Sequence, residues 1–139
     1  MVNEAHLLIE QSQGLVRSLA LKVFGSLPRS ASLDDLIGYG QVGLTQAANA
    51  YDASSGVAFS TYAYYRIRGA IYDGLAQMTG CPRHIRRKIR FEQRATEHLS
   101  EQAAAGGNQG DVAAECRWLL ETTRDLATVF LANIAADAA

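Results

Sequence analysis

The sequence predicts an all-α chain: a compact helical bundle, then a linker, then a C-terminal amphipathic helix. Three observations carry this expectation. Alanine is plentiful and β-branched runs are scarce, which favours helix over strand. Only two prolines, Pro28 and Pro82, interrupt 139 residues, so long helices are permitted. Apolar residues also recur at helical spacing through most of the chain.

Residues 3–26 read as a first helix, with Ile9, Val16, Leu19, Ala20, Val23 and Phe24 on one face and Gly25 as a stop. Residues 26–30 form a connector. A second helix runs from Leu33 to Tyr51, capped by Ser32, with Asp34 and Asp35 in the first turn where carboxylates offset the helix dipole. Its apolar stripe is Leu33, Leu36, Ile37, Leu44, Ala47 and Tyr51. Gly38, Gly40 and Gly43 are anomalous there, since each mid-helix glycine costs about 1 kcal/mol against alanine. Close approach of another helix is the usual reason for such a cost.

Residues 52–56 are a turn, rich in side chains that bond their own backbone. A third helix spans Phe59 to Met78, with Ser60 or Thr61 as a candidate cap. Phe59, Ala63, Ile67, Ala70, Ile71 and Gly74 share one face, and Tyr62, Tyr65, Arg68, Gly69 and Tyr72 share the opposite one. Tyrosines beside a cation on an outward face suit unpaired nucleic-acid bases, because every base has a π-face to stack and a phosphate to pair. Residues 78–81 break this helix, and Pro82 opens a fourth, where its missing N–H costs nothing. Ile85, Ile89, Thr96, Leu99 and Ala103 form the fourth helix's buried line. Arg83, Arg87, Arg90 and Arg94, with Arg86 alongside, form an opposite basic ridge fit to follow phosphates.

Residues 105–110 read as a flexible linker. From Asp111 to about Ile134 a last amphipathic helix places Val112, Cys116, Leu119, Leu120, Thr123, Leu126, Phe130 and Ile134 on one side. It folds back on the first domain or pairs with another chain, and Trp118 reads as a packing residue.

The net charge of −1 does not mark a nucleic-acid binder, but its distribution does. Eight of the thirteen lysines and arginines lie between Arg66 and Arg94, where the only acids are Asp73 and Glu92. A cationic surface on an acidic body is a directional footprint for a polyanion. The totals exclude other classes. There is no apolar run of membrane-spanning length and no signal-peptide layout. Cys81 and Cys116 are too few for a disulfide framework or zinc site and read as reduced thiols of a cytoplasmic protein. No catalytic constellation, metal site, phosphate-binding loop or cofactor motif is legible, so an enzyme is not expected.

The segments Asp34–Ile37, Gly40–Leu44, Tyr51–Asp52, Gly56, Phe59–Ala63 and Arg66–Asp73 resemble the second conserved region of bacterial RNA polymerase sigma factors. The likeness is strongest to the flagellar- and sporulation-type alternative members of the sigma-70 family, with their FxTYAxxRIRGAIxD pattern, and covers roughly residues 5–95. It implies a sigma region 2 type bundle over residues 1–80 that binds core polymerase and recognises the promoter −10 element. Residues 81–104 become a basic helix that starts a region 3-like segment; residues 105–110 stay a linker and 111–139 a C-terminal helix of unassigned role.

By position, the resemblance implies that Asp35, Gly38, Tyr39, Gln41 and Thr45 dock on the coiled coil of the polymerase's largest subunit. Tyr62 would stack on a flipped adenine, with Tyr65 and Arg66 beside it, and Gly69, Tyr72 and Asp73 would read duplex bases just upstream. Arg66, Arg68 and the fourth-helix arginines would hold phosphates. Core polymerase, promoter DNA and an anti-sigma protein are the implied partners, with no membrane. The alternative is a sigma-like interaction module without promoter activity, held by an anti-sigma protein or acting as a decoy for core. The chain departs from the family in Gly74-Leu75-Ala76, which lacks an arginine, in Gly80-Cys81 before Pro82, and in Ala53, where proline is usual.

Overall fold

A computed structural model describes residues 3–26, 31–78, 83–104 and 112–138. Six α-helices and one 3₁₀ turn make up these residues: α1 (Glu4–Gln11), α2 (Gln13–Ser26), α3 (Leu33–Ala50), the turn Ala53–Ser55, α4 (Phe59–Gln77), α5 (Arg83–Ala104) and α6 (Val112–Ala138). The fold is all-α, as expected. None of the described helices is long and apolar enough to cross a membrane. The expected connector at residues 27–30, the break at 79–81, Pro82, the linker at 105–110 and Asp111 lie outside the described residues.

The single helix expected over residues 3–26 is two helices, divided at Ser12. The cause is a competition for one carbonyl. In an unbroken helix the Gln13 N–H would bond Ile9 O. Instead Ser12 N–H takes Ile9 O at 3.2 Å, and the Gln13 side-chain amide donates to the same oxygen at 3.2 Å. Polar side chains that bond nearby backbone offer the chain an alternative to helix, and here the alternative wins.

Helix α3 starts as its sequence requires, with Asp35 N–H donating to Ser32 Oγ at 3.1 Å. Its glycines divide by role. A Cβ at Gly43 would lie 2.7 Å from both Ala70 Cβ and Arg66 O on α4, and one at Gly40 would lie 2.8 Å from Val16 Cγ1 on α2. Gly38 meets nothing within 4 Å. Gly40 and Gly43 therefore let α3 seat against its neighbours, while Gly38 stays outward. The α3–α4 seam also uses Gly74, over which the Tyr39 ring rests.

The turn between α3 and α4 is closed by Asp52, whose carboxylate accepts from Ser54 N–H at 2.9 Å, and by Gly56 at φ +77°. Tyr51 donates its hydroxyl to Val57 O at 2.7 Å and sets its ring edge-on to Phe59, 5.1 Å between centroids. Neither Ser60 nor Thr61 caps α4. Ala58 is the N-cap and lends no side chain, because helical geometry has already begun at Phe59.

The core joins Val16, Leu19 and Val23 of α2, Leu36 and Leu44 of α3, Ala63, Ile67 and Ile71 of α4, and Ile85 and Ile89 of α5. The apolar face read for α4 is thus the face that packs on α3. Helix α6 lies against α5 through the C-terminal half of its expected stripe, where Leu126 and Ile134 are half-buried, but not through the N-terminal half. Val112, Cys116, Leu119, Leu120 and Thr123 are exposed, Phe130 touches Phe91 edge-on while staying 45 % exposed, and Trp118 is exposed rather than packed. Buried instead are Thr122, which donates to Gln102 Oε1 at 2.9 Å, and Asn133, which donates to Arg87 O at 2.8 Å. Helix α5 thus meets α6 with both kinds of group, the acceptors of Gln102 and Arg87 and the ring of Phe91.

Candidate nucleic-acid interface

Among the described residues helix α4 packs mainly between α3 and α5, with a smaller contact to α2, and this decides where its polar residues go. Apolar periodicity alone shows one buried face and one open face. Tyr72, expected outward, is instead only 3 % exposed. Arg68, also expected outward, is ion-paired with Glu92 of α5 and half-buried. Its guanidinium carbon lies 5.4 Å from the Tyr72 ring centroid. Both residues sit on the flank of α4 that α5 covers, about a quarter turn from the α3-facing stripe.

Burial opposes the Arg68 charge, but the Glu92 hydrogen bond, together with the neighbouring Tyr72 and Glu92, holds the guanidinium above its ordinary range. Burial, reinforced by the Glu92 charge, pushes the Tyr72 hydroxyl up to about 12. The sign follows from linkage. The folded state keeps Tyr72 protonated where the unfolded chain would ionise, so the stability it contributes is full below pH 10 and is lost as pH rises toward 12. Alkaline unfolding followed by circular dichroism should show stability falling by about 2 kcal/mol across that window. Tyr72→Phe should flatten the fall.

Tyr62 and Tyr65, also expected outward, are half-buried: Tyr62 packs against the core with its ring 5.9 Å from that of Tyr51, and Tyr65 sets its ring edge-on to Tyr64 at 5.1 Å. They share a small cavity of about 160 Å³ with Tyr51, Val57, Ser100 and Ala103. Arg66 is exposed, its guanidinium carbon 5.9 Å from the Tyr62 ring centroid, and it makes no ion pair among the described residues. Gly69 faces α5, where a Cβ would lie 3.9 Å from Thr96 Cγ2. Asp73 is exposed and accepts from Gln93 Nε2 at 2.9 Å. Tyr65, Arg66, Gly69 and Asp73 line one wall of a cleft of about 550 Å³, with Gln93, Thr96, Glu97, Ser100 and Glu101 of α5 on the other.

Along α5, Arg83, Arg86, Arg87 and Arg94 are exposed and Arg90 is half-buried. The basic ridge is therefore on the surface over most of its length. One turn beyond Arg94 the same line continues as Glu97 and Glu101. Among the α3 residues expected to meet a partner, Asp35, Gly38 and Thr45 are exposed. Tyr39 is half-buried over Gly74, and Gln41 exchanges hydrogen bonds with Gln13.

Three residues that shape these surfaces escaped the sequence reading. Val42, 55 % exposed, sits on the outward side of α3 beside Gly38 and Thr45. Its signal was an apolar residue on the polar side of the wheel. Glu92 and Gln93 hold Arg68 and Asp73. Glu92 was visible as one of two acids in the basic window, but nothing local paired it with a residue 24 positions away. No cluster of metal-ligating side chains occurs among the described residues.

Residues 8–79, which contain α3, α4 and their turn, match the family model described as Sigma-70 region 2. The chain belongs to that family. It is 35 % identical over 119 residues to RNA polymerase sigma factor FliA of Pseudomonas aeruginosa, covering 86 % of this chain and 48 % of the relative. It is 39 % identical over 112 residues to FliA of Escherichia coli strain K12, covering 81 % and 47 %. With RNA polymerase sigma-D factor of Bacillus subtilis it shares 38 % identity over 89 residues, 64 % of this chain and 35 % of that one. This sigma-70 chain thus spans about half the length of the FliA relatives it matches. No solved structure matches it.

Proposed function

We propose that the chain acts in transcription initiation as a sigma factor or its N-terminal part, binding core RNA polymerase through the outward side of α3 and capturing the opened −10 element on α4. The observation that carries this is the grouping on α4 of Tyr62 and Tyr65 around one small cavity, with the Arg66 guanidinium over the Tyr62 ring. Rings with a neighbouring cation can stack a splayed base and hold its phosphate. On α3, Asp35, Gly38, Val42 and Thr45 give an exposed surface for the largest subunit's coiled coil, with Tyr39 and Gln41 supporting it from behind.

The energetics fit a divided task. Stacking supplies about 1–3 kcal/mol per base, and extruding a base costs a few kcal/mol. A few contacts on α4, with phosphates on Arg66 and the α5 ridge, can hold a short bubble but cannot open duplex DNA unaided. Core polymerase supplies the remainder. On this reading residues 1–80 bind core and recognise the −10 element, and residues 81–104 add the basic helix. The protein has no reaction of its own and works in the cytoplasm. An anti-sigma protein is a further partner on this reading.

The test is binding of an oligonucleotide with a single-stranded −10 segment, measured by anisotropy in the presence of core polymerase. Tyr62→Ala and Tyr65→Ala should each weaken binding by about 1–3 kcal/mol, roughly five- to 150-fold. Parent-like binding by both variants would remove the stacking role.

A further inference from the structure

We propose that α5 is a built-in clamp on α4, in which Glu92 occupies the place of a DNA phosphate on Arg68, so that this half of the DNA-reading face opens only when α5 lifts away. The inference rests on the reading of α4 given above. Its first support is the set of partners that α5 supplies. Arg68 holds Glu92, Asp73 holds Gln93, Gly69 faces Thr96, and Tyr72 is closed off. Each of these α4 residues is one that the DNA reading requires to be free. The carboxylate of Glu92 is also chemically what a guanidinium accepts in place of phosphate, an anionic oxygen pair.

The second support is the sign of charge across the cleft. Tyr65 and Arg66 look across at Glu97 and Glu101. A phosphate entering between them would meet carboxylates on the far wall, and like charges at that range repel. Closed, the cleft repels a strand. With α5 lifted, the same α4 wall is a cation among rings.

The third support is that the grip is uneven along α5. Ile85 and Ile89 belong to the main core cluster, and beyond Ile89 the buried α5 residues described are only the small Ala95 and Thr96, which lie outside it. From Glu92 onward the helix holds α4 through an ion pair, a hydrogen bond and small side chains. The Thr96 hydroxyl is buried without a hydrogen-bond partner, and so is Asn133 Oδ1 where α6 braces α5 from the other side. Buried polar atoms left unpaired oppose the packing that buries them. Helix α5 is thus anchored at its N-terminal end and weakly held beyond it, the arrangement of a hinged element.

The test places spin labels at Ser60→Cys on α4 and Glu101→Cys on α5, both exposed positions, in the full chain carrying Cys81→Ser and Cys116→Ser. Pulsed dipolar spectroscopy then reads the separation in the free chain, with core polymerase, and with core plus the single-stranded −10 oligonucleotide. The separation should lengthen by about 10 Å or more once DNA is bound, whether core alone or DNA drives the opening. Glu92→Gln, which removes the charge and keeps the shape, should tighten oligonucleotide binding about fivefold. Bound DNA with an unchanged separation, or unchanged affinity in Glu92→Gln, overturns the clamp and leaves the function of α4 standing. If the labelled chain and unlabelled parent both bind core but no DNA, the DNA-reading role of α4 falls and the clamp falls with it.

Discussion

Gly43→Ala should lower the stability of the chain by about 2 kcal/mol, whereas Gly38→Ala, five residues earlier on the same helix, should raise it by about 1 kcal/mol. Alanine is the better helix former at both positions, so propensity favours both substitutions by about 1 kcal/mol. The surroundings decide the sign. At Gly43 the new methyl would lie 2.7 Å from Arg66 O and 2.9 Å from Ile67 Cα. These are backbone atoms of α4, which cannot rotate aside, so the two helices must separate along a seam that also seats Leu44, Ala63 and Ile67. Overpacking of this type costs about 1–3 kcal/mol and occasionally more, enough to outweigh the gain. Gly43→Val should cost more than Gly43→Ala. Gly38 meets nothing within 4 Å and keeps the whole gain. Thermal or urea unfolding checks both signs. If Gly38 also meets the polymerase, Gly38→Ala should be more stable yet bind core less tightly, which separates packing from docking in one variant.

That contrast also shows how much the sequence disclosed. Three glycines in six residues signalled close approach, but only the neighbouring helices distinguish Gly43, pressed on α4, from Gly38, facing outward. The α4 stripe was legible because Ala63, Ile67 and Ile71 obey one period and pack on one partner. Ser32 was legible because a cap acts within its own turn. Ser12 was not, because the break depends on the Gln13 side chain competing for Ile9 O. Tyr72 and Arg68 were misplaced for a related reason. A helical wheel gives the period of a face but not the number of helices laid against it, and α5 reaches them from more than a dozen residues away. Helix α6 carries the same lesson in reverse. Its apolar stripe meets α5 only from Leu126 onward, and the contacts of Thr122 and Asn133 with α5 are ones that apolar periodicity does not announce.

Arg68→Ala should cost about 3 kcal/mol of stability, the lower end of what breaking a buried ion pair costs, because water still reaches both partners. The Arg68 and Glu92 side chains are 27 % and 20 % exposed. The loss has two parts. Glu92 is left without its cation beside the buried Tyr72 ring, and the guanidinium no longer lies over that ring, a contact worth about 0.5–2 kcal/mol. Glu92→Ala alone should cost less, since the longer Arg68 side chain can turn its charge toward solvent. The double variant should then be more stable than the sum of the two losses implies, with a coupling energy of about 1–2 kcal/mol. This cycle separates two roles for Arg68. A residue that waits in solvent for a phosphate contributes nothing to folding, and its removal would leave unfolding unchanged while weakening DNA binding. A residue that holds α5 loses stability first, and in Arg68→Ala the dipolar separation between Ser60→Cys and Glu101→Cys labels should already be long before any DNA is added.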